Sequence, residues 1–446
     1  MITRPKIDWI KKILSHRLGC ELELFFENSC LKLKLKNSNK LIIFDKINYS
    51  FYEFGSNFSC GLWDPYKEGF ISKLKIPIPT PGLEKFHKII EKKKDNYFIH
   101  YDILGFIFWM LNRLEEINSD KLDNHNRFPA KFSHAYLNNY LDRPIVDEWI
   151  DIIKQIILRV WPNLKLNKYQ FKIRISHDVD RPFKYLFCKK KDIYRQLLGD
   201  IFKRRNIKTF LNRYQISKKV RKGNINKDPF YVFDWMMDVL EKNDHVGTFY
   251  FLSNKTSSKY DSDYNLENLH IQNLLIKINS RGHKIGLHPS YNSYNNFKNL
   301  NYELKKLIDV CKKKNIYQDF WGSRMHFLRF QYPKTLNYLN DIGISYDESL
   351  TYADYSGFSC GTCFEYTAFN PIDNRELNIS IKPLIVMECS ISSYMKLGYG
   401  KNFLLYAKKL KERCKLVDGT FSILWHNSEL QNTAQIDSFI ELIKKG

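Results

Sequence analysis

Two aspartates and a histidine stand where a predicted strand ends, in the segment IRISHDVDRP at 173–182. Asp178 and Asp180 are two residues apart, so on a strand they project from one face while His177 points away. Two carboxylates this close repel each other unless a cation or an arginine compensates, which suits one to hold a metal and the other to act as a base. The same pair is also common at solvated strand ends, so the pattern alone leaves both interpretations open.

A second group of polar residues follows the segment HKIGLH at 283–288. His288 precedes Pro289, and proline is favoured at the first position of a helix. If a helix begins there, Asn292 lies one turn further along the same face. A histidine at that place would indicate a metal site strongly. Asparagine indicates one less strongly, because zinc prefers nitrogen, thiolate and carboxylate ligands to an amide oxygen.

The elements that must position these residues alternate between strands and helices from residue 166 to residue 446. This order predicts parallel β/α units, either open or closed into a barrel. In such folds the chemistry collects at the carboxyl ends of the strands. Residues of catalytic types close five successive strand-like segments, namely Asp178/Asp180, His288, Arg324/His326, Asp347 and His426.

The first part of the chain has a different pattern. Residues 20–60 contain three short strand-like segments separated by turn residues, and 99–117 and 144–160 have helical patterns. The pattern breaks in the segment RVWPNLKLNKY at 159–169. We therefore predict two domains, a smaller α+β domain over 1–165 and an α/β domain over 166–446.

Charge is distributed unevenly. The chain of 446 residues carries 71 Lys and Arg against 48 Asp and Glu, a net charge of +23. Residues 184–222 alone contain 14 Lys or Arg and two Asp. A basic balance suits nucleic acid, acidic lipid or acidic glycan, but no stacking motif or reader fold supports nucleic acid, so we predict no such partner.

Apolar residues recur at helical spacing within this basic insertion, which spans 184–224: Ile193, Leu197, Leu198, Ile201 and Phe202. One interpretation is a basic amphipathic helix that lies on an anionic membrane surface. The other is a solvated helix of a lysine-rich protein. The sequence favours neither.

Cysteine usage and hydropathy suggest a compartment. The nine cysteines follow no disulfide framework spacing, which favours reduced thiols in the cytosol. The N-terminus has no apolar signal segment, and the longest apolar run, 103–111, is well short of the roughly 20 residues of a spanning helix. We expect a soluble, cytoplasmic protein, with peripheral contact at the inner membrane face if the insertion binds lipid.

Five motifs in order resemble those of polysaccharide deacetylases of the NodB-like, carbohydrate esterase 4 superfamily: SHDVD, GHKIGLHPSYN, SRMHF, SYDESL and ILWH. The resemblance implies a distorted (β/α)7 barrel and hydrolysis of an amide bond on an amino sugar. In the N-terminal half, YDILGFIFWMLNRLEEI, NRFP and LDRPIVDEWI resemble an uncharacterised domain that precedes such deacetylase domains in bacteria.

The resemblance also implies roles for single residues. Asp178 would be the general base, with Arg324 holding its carboxylate ionised and oriented. Asp180 and His288 would be metal ligands, for zinc or another divalent metal. His426 would protonate the departing amine.

One ligand departs from the family pattern. The family's second metal histidine falls on Asn292 here, so the third ligand is either Asn292 or His326, which shares a strand face with Arg324, or there is no stable metal. The residues expected to bind substrate are Phe327, Trp425 and Asp347.

The expected function is therefore metal-dependent removal of an N-acetyl group from an amino sugar of a polysaccharide or of its precursor. The partner would be an N-acetylated glycan or a lipid-linked saccharide. The alternative is a non-catalytic module that binds glycan or membrane and has lost a metal ligand.

Overall fold

The computed structural model describes residues 2–55, 57–80 and 88–445, and it is a mixed α/β structure. Contacts divide the chain into two compact units. Unit 1 comprises Met1–Lys172, Leu328–Val386 and Lys408–Ser422, and unit 2 comprises Ile173–Phe327, Met387–Ala407 and Ile423–Gly446. These units are defined by contacts, and each combines separate stretches of the chain. The predicted domains 1–165 and 166–446 therefore stay a prediction.

The elements before residue 165 form a sheet with helices. They are α1 (Arg4–Leu18), β1 (Leu22–Glu27), β2 (Cys30–Leu35), β3 (Ile42–Phe44), β4 (Ser59–Trp63), β5 (Ile76–Thr80), β6 (Ile90–Lys93), β7 (Asn96–Ile99), α2 (Ile103–Leu111), α3 (His134–Leu137) and α4 (Ile145–Val160). Five of the strands form one sheet in the order β1-β2-β3-β7-β6, and β4 pairs with β5.

Helix α2 is shorter than the predicted 99–117. It begins after Asp102, whose carboxylate accepts from the Gly105 N–H at 2.7 Å. It ends at Asn112, whose side-chain amide donates to the Phe108 carbonyl oxygen at 2.9 Å. Every residue of α2 is buried, which makes it a core helix of unit 1.

The remaining elements are β8 (Lys172–Val179), α5 (Lys190–Phe202), α6 (Ile207–Arg221), α7 (Phe233–Lys242), β9 (Gly247–Leu252), α8 (Leu269–Ser280), β10 (Lys284–His288), α9 (Phe297–Lys312), β11 (Gly322–Ser323), α10 (Lys334–Asp341), β12 (Tyr346–Asp347), β13 (Tyr366–Asn370), β14 (Arg375–Ile381), β15 (Val386–Met387), α11 (Lys401–Leu416), β16 (Thr420–Leu424) and α12 (Thr433–Ile443). Strands and helices alternate from β9 to β12, whereas α5, α6 and α7 follow one another after β8 and β12 to β15 have no α-helix between them.

Four strands of unit 2 lie side by side in chain order. β8 pairs with β9, β9 with β10 and β10 with β11, all in parallel. β9, with the sequence GTFYFL, is buried along its whole length, as expected of a strand covered on both faces. The parallel α/β arrangement is confirmed, whereas closure into a barrel stays a prediction. Within the described ranges, no helix has the length and apolar character needed to cross a membrane.

Candidate functional site

Strand β8 delivers both aspartates to one place. Asp178 Oδ2 lies 3.9 Å from His288 Nε2, and Asp180 Oδ1 lies 3.1 Å from the same nitrogen. His177 points to the other side of the strand, where its Nδ1 donates to the Trp425 carbonyl oxygen at 2.8 Å. Burial lowers the pKa of His177 to about 3, so this ring is a neutral part of the core.

Three side chains form a group whose geometry suits a metal ion. Asp180, His288 and His326 each offer one ligand atom, and these atoms lie within 4.8 Å of one another. His326 Nε2 is 3.4 Å from Asp180 Oδ1. Two imidazole nitrogens and a carboxylate oxygen are ligands that zinc accepts.

The outer ring nitrogens of both histidines are already occupied. His288 Nδ1 donates to the Arg324 carbonyl oxygen at 2.5 Å, and His326 Nδ1 donates to Asp261 Oδ1 at 2.9 Å. Each Nε2 is therefore the ring nitrogen that faces Asp180. Metal-binding histidines in proteins are oriented by the same kind of outer hydrogen bond, so this donor set fits a divalent metal.

Charges within and beside the group shift the pKa values of Asp180 and His326. Burial lowers the pKa of His326, but the carboxylates of Asp180 and Asp261 outweigh it and raise that pKa to about 9. Burial raises the pKa of Asp180, and the neighbouring histidines hold it well below its usual range nonetheless. The aspartate therefore stays ionised, as a metal ligand must.

Asn292 lies outside this group. No helix begins at Pro289: residues 289–296 form a loop, and backbone N–H groups of this loop donate to side chains. The N–H of Ser290 donates to Glu303, that of Tyr291 donates to Asp261, and that of Asn292 donates to Thr256. Asn292 is exposed, and its side-chain amide donates to the Thr256 carbonyl oxygen at 3.0 Å.

Arg324 is fully buried beside Asp178. Its Nη1 lies 3.6 Å from Asp178 Oδ1, its Nη2 donates to Ser176 Oγ at 2.6 Å, and its guanidinium lies over the Tyr250 ring at 5.1 Å. A Cβ at Gly286 would come within 2.3 Å of the Tyr250 ring. The glycine of the GLH segment thus makes room for the ring on which Arg324 rests.

His426 lies next to the metal-compatible group formed by Asp180, His288 and His326, at the second carboxylate oxygen of Asp180. Its Nε2 lies 3.7 Å from Asp180 Oδ2, and its Nδ1 donates to Glu388 Oε1 at 2.5 Å. Burial lowers the pKa of His426, but Glu388 and Cys389 raise it well above its ordinary value. The imidazole is therefore held in its protonated form.

Phe327 is half-buried next to His326. Its ring centroid lies 5.2 Å from that of Tyr260 and 5.4 Å from that of Tyr291, and the two tyrosines stack at 4.3 Å. These three rings form an aromatic cluster beside His326, whose ring centroid lies 4.8 Å from that of Phe327.

The other two expected substrate residues are both fully buried. Trp425 is fully buried and packs against Tyr399 and Phe403, and its Nε1 donates to the Glu429 carbonyl oxygen. Asp347 belongs to unit 1, where its buried carboxylate accepts from the N–H and the hydroxyl of Ser349, each at 2.8 Å.

Comparisons with known proteins give limited matches. Residues 2–162 match the model of a family of unknown function, DUF7033, which agrees with the uncharacterised N-terminal domain expected from the sequence. No curated protein matches the chain. Among solved structures it is similar to Puue allantoinase at 11% identity, covering 64% of this chain and 85% of that chain, with a TM-score of 0.37.

Two deacetylases are also among the similar structures. One is the chitin deacetylase of Colletotrichum lindemuthianum, at 12% identity over 62% of this chain and 82% of that chain, with a TM-score of 0.30. The other is the catalytic domain of a peptidoglycan N-acetylglucosamine deacetylase from Eubacterium rectale, at 12% identity over 62% and 84%, with a TM-score of 0.28.

Sequence reasoning missed two carboxylates at this site. Glu388 directly follows strand β15, so the rule that polar residues close strands points to it, but the strand is only two residues long. Asp261 lies in the loop between β9 and α8, nine residues past the strand. Asp261 holds His326 through a hydrogen bond, and the spacing of residues near it in the sequence does not indicate this role.

Proposed function

We propose that this chain is a metal-dependent deacetylase that removes an N-acetyl group from an amino sugar of a polysaccharide or its precursor. The observation that carries the proposal is the Asp180, His288 and His326 group, with Asp178 on one side and His426 on the other. Asp180, His288 and His326 would hold the metal, either zinc or another divalent ion. When bound, the metal polarises the acetamide carbonyl and lowers the pKa of the attacking water.

Asp178 is the general base of this proposal. Arg324 neutralises and orients Oδ1, which leaves Oδ2, 3.9 Å from His288 Nε2, to accept a proton at the reaction centre. As the water oxygen forms its bond to the acetyl carbon, one water proton passes to Asp178 Oδ2.

His426 is the general acid. Because its pKa is raised well above the ordinary value, the imidazole carries a proton at neutral pH. When the carbon–nitrogen bond breaks, Nε2 donates that proton to the amine, and acetate and a free amino sugar leave.

For substrate binding, the proposal rests on Phe327 and the two tyrosines beside it, because Trp425 is enclosed in the core. All nine cysteines are free thiols, which suits a reducing compartment. We therefore place the substrate, a glycan or a lipid-linked saccharide, in the cytoplasm.

The test is acetate release from short oligosaccharides of N-acetylated amino sugars. We expect wild type to release acetate, EDTA to abolish the release, and Asp178→Asn to lower kcat by about 10²–10⁴-fold, the usual contribution of a general base. Asp309→Asn, an exposed aspartate of α9, is the matched control and should keep full activity. An Asp178→Asn enzyme with unchanged kcat would contradict the proposed base. A wild type that takes up no metal favours the non-catalytic alternative.

A further inference from the structure

Helices α5 and α6 of the basic insertion form an antiparallel pair within unit 2. Their shared core contains Tyr185, Ile193, Leu197 and Val220. Arg213 of α6 bonds both Asp200, at 2.5 Å, and Gln196, at 2.8 Å, on α5. The inner face of the pair is therefore held together by apolar packing and by charged hydrogen bonds between the two helices.

The helix pair also presents a row of large apolar side chains to the outside. On each helix they recur at i, i+4 and i+7 or i+8, the spacing of one helical face. They are Tyr194, Leu198 and Phe202 on α5, and Ile207, Leu211 and Tyr214 on α6, and all six are exposed.

The two rows point to the same side of the pair. At about 100° per residue, each row lies roughly 120–140° from its helix's inner face, in the same rotational sense along the chain. Because the two helices run in opposite directions, equal rotations from the inner face in the same sense bring both rows to the same side of the pair. The two rows thus form a single apolar face, joined at the connection 203–206.

Basic side chains surround this apolar face. They include Lys190, Lys191, Arg195, Lys203, Arg205 and Lys208, all of them exposed. Of the two aspartates in 184–222, Asp200 is fully buried and paired with Arg204 and Arg213. The outer surface therefore combines bulky apolar groups with a strongly positive charge.

We propose that the face formed by α5 and α6 docks on an anionic lipid surface, with the connection 203–206 and its flanking side chains Phe202 and Ile207 at the headgroup boundary. Interfacial helices have this composition, with apolar and aromatic residues on one face and lysine and arginine around them. An acidic lipid surface supplies both the negative charge and the apolar layer. Nucleic acid would satisfy the charge and leave the apolar side chains in water.

The structure also changes which residues form this face. Ile193 and Leu197, which gave the amphipathic pattern in the sequence, are buried in the inner core. The lipid-facing row begins one position later, at Tyr194. Substitutions at Ile193 would test folding, and only the outer row tests docking.

The test is co-sedimentation of the full chain with vesicles, which needs no catalytic readout and therefore fails or succeeds independently of deacetylation. We expect binding to vesicles that contain phosphatidylglycerol and none to pure phosphatidylcholine. Phe202→Ser/Ile207→Ser should weaken binding at least about tenfold, because two apolar side chains leave the lipid. Lys203→Glu/Arg205→Glu should weaken it by about tenfold or more, since each basic residue near the surface contributes.

The matched control is Tyr317→Ser/Phe320→Ser. These two aromatic side chains of unit 2 are 70% and 69% exposed, against 70% for Ile207 and 75% for Phe202. The control should bind as wild type does, and circular dichroism should be the same for all variants. No binding to anionic vesicles, or equal binding by Phe202→Ser/Ile207→Ser, would overturn the proposal. So would tighter binding to duplex DNA that this double variant leaves unchanged.

Discussion

Three buried groups of unit 1 and two groups at the candidate site of unit 2 have pKa values shifted in opposite directions. In unit 1, burial raises the pKa of Asp102 to about 7 and that of Glu115 to about 8. Burial lowers the pKa of His134 in the same unit to about 4. In unit 2, neighbouring charges reverse the effect of burial, so Asp180 has a pKa well below its usual range and His326 has one of about 9.

The difference comes from the partners of each group. Asp102 and Glu115 accept backbone N–H groups, from Gly105 at 2.7 Å and from His134 at 2.8 Å, which lower the pKa of each carboxyl but do not offset the larger effect of burial. Asp180 and His326 face opposite charges, which favour the ionised forms of both. Asp102, Glu115 and His134 of unit 1 thus favour their neutral forms, while Asp180 and His326 at the candidate site favour their charged forms, as perturbed groups at functional sites often do.

The largest effect that would sharpen this contrast is expected at Glu388. Glu388→Gln removes the charge that keeps His426 protonated, and we expect kcat to fall by about 10²–10³-fold with little change in KM. Steady-state kinetics of acetate release measure it. Glu412→Gln is the control, because Glu412 is exposed and pairs with Lys415. If the two variants had equal kcat, Glu388 would have no special role in positioning His426.

A smaller effect is expected at Asp261, which touches the metal-compatible group only through His326. Asp261→Asn replaces the carboxylate that fixes the ring, and we expect zinc affinity to fall by about 10–100-fold. Competition with a chelating dye measures the affinity. Asp263→Asn, two residues along the same loop, pairs with Lys255 and should bind zinc as wild type does. Unchanged affinity in Asp261→Asn would show that His326 needs no outer partner.

The smallest effect tests the neutral form of Glu115 in unit 1. Because the folded-state pKa of Glu115 is raised from 4.5 to about 8, its contribution to stability is fully present below pH 4.5 and is lost as the pH rises toward 8. Glu115→Gln removes this dependence. Relative to that of wild type, the variant's free energy of unfolding should increase by about 1–2 kcal/mol between pH 5 and pH 7. The Tm of the variant minus that of wild type should therefore rise by a few degrees over the same range.

The control for that series is Glu21→Gln, at an exposed position of unit 1. Its Tm difference from wild type should not change between the two pH values. If Glu115→Gln also showed no change with pH, then Glu115 would be ionised in the folded protein, and the contrast between the units would fail.

Much of the arrangement follows from local sequence rules. Period-two alternation placed Asp178 and Asp180 on one face, and alternating strands and helices gave the parallel pairing of β8 to β11. The polar residues that end β8 and β10 meet because parallel strands carry their carboxyl ends to one edge.

Other features depend on contacts that are distant in sequence. Pro289 is compatible with a helix start, but the chain continues as a loop whose N–H groups donate to Glu303, Asp261 and Thr256. In this loop Asn292 is exposed. The link between Asp261 and His326 spans 65 residues, and no local pattern encodes it.

Zinc titration of three proteins tests the central claim, that Asp180, His288 and His326 form the metal site. Wild type and Asn292→Ala should each bind one zinc ion with equal affinity, because Asn292 is exposed and bonds Thr256. His326→Ala should bind at least about tenfold more weakly, since it loses one of the three protein ligands. Zinc binding that His326→Ala retains and Asn292→Ala loses, or a wild type that binds none, would contradict the account.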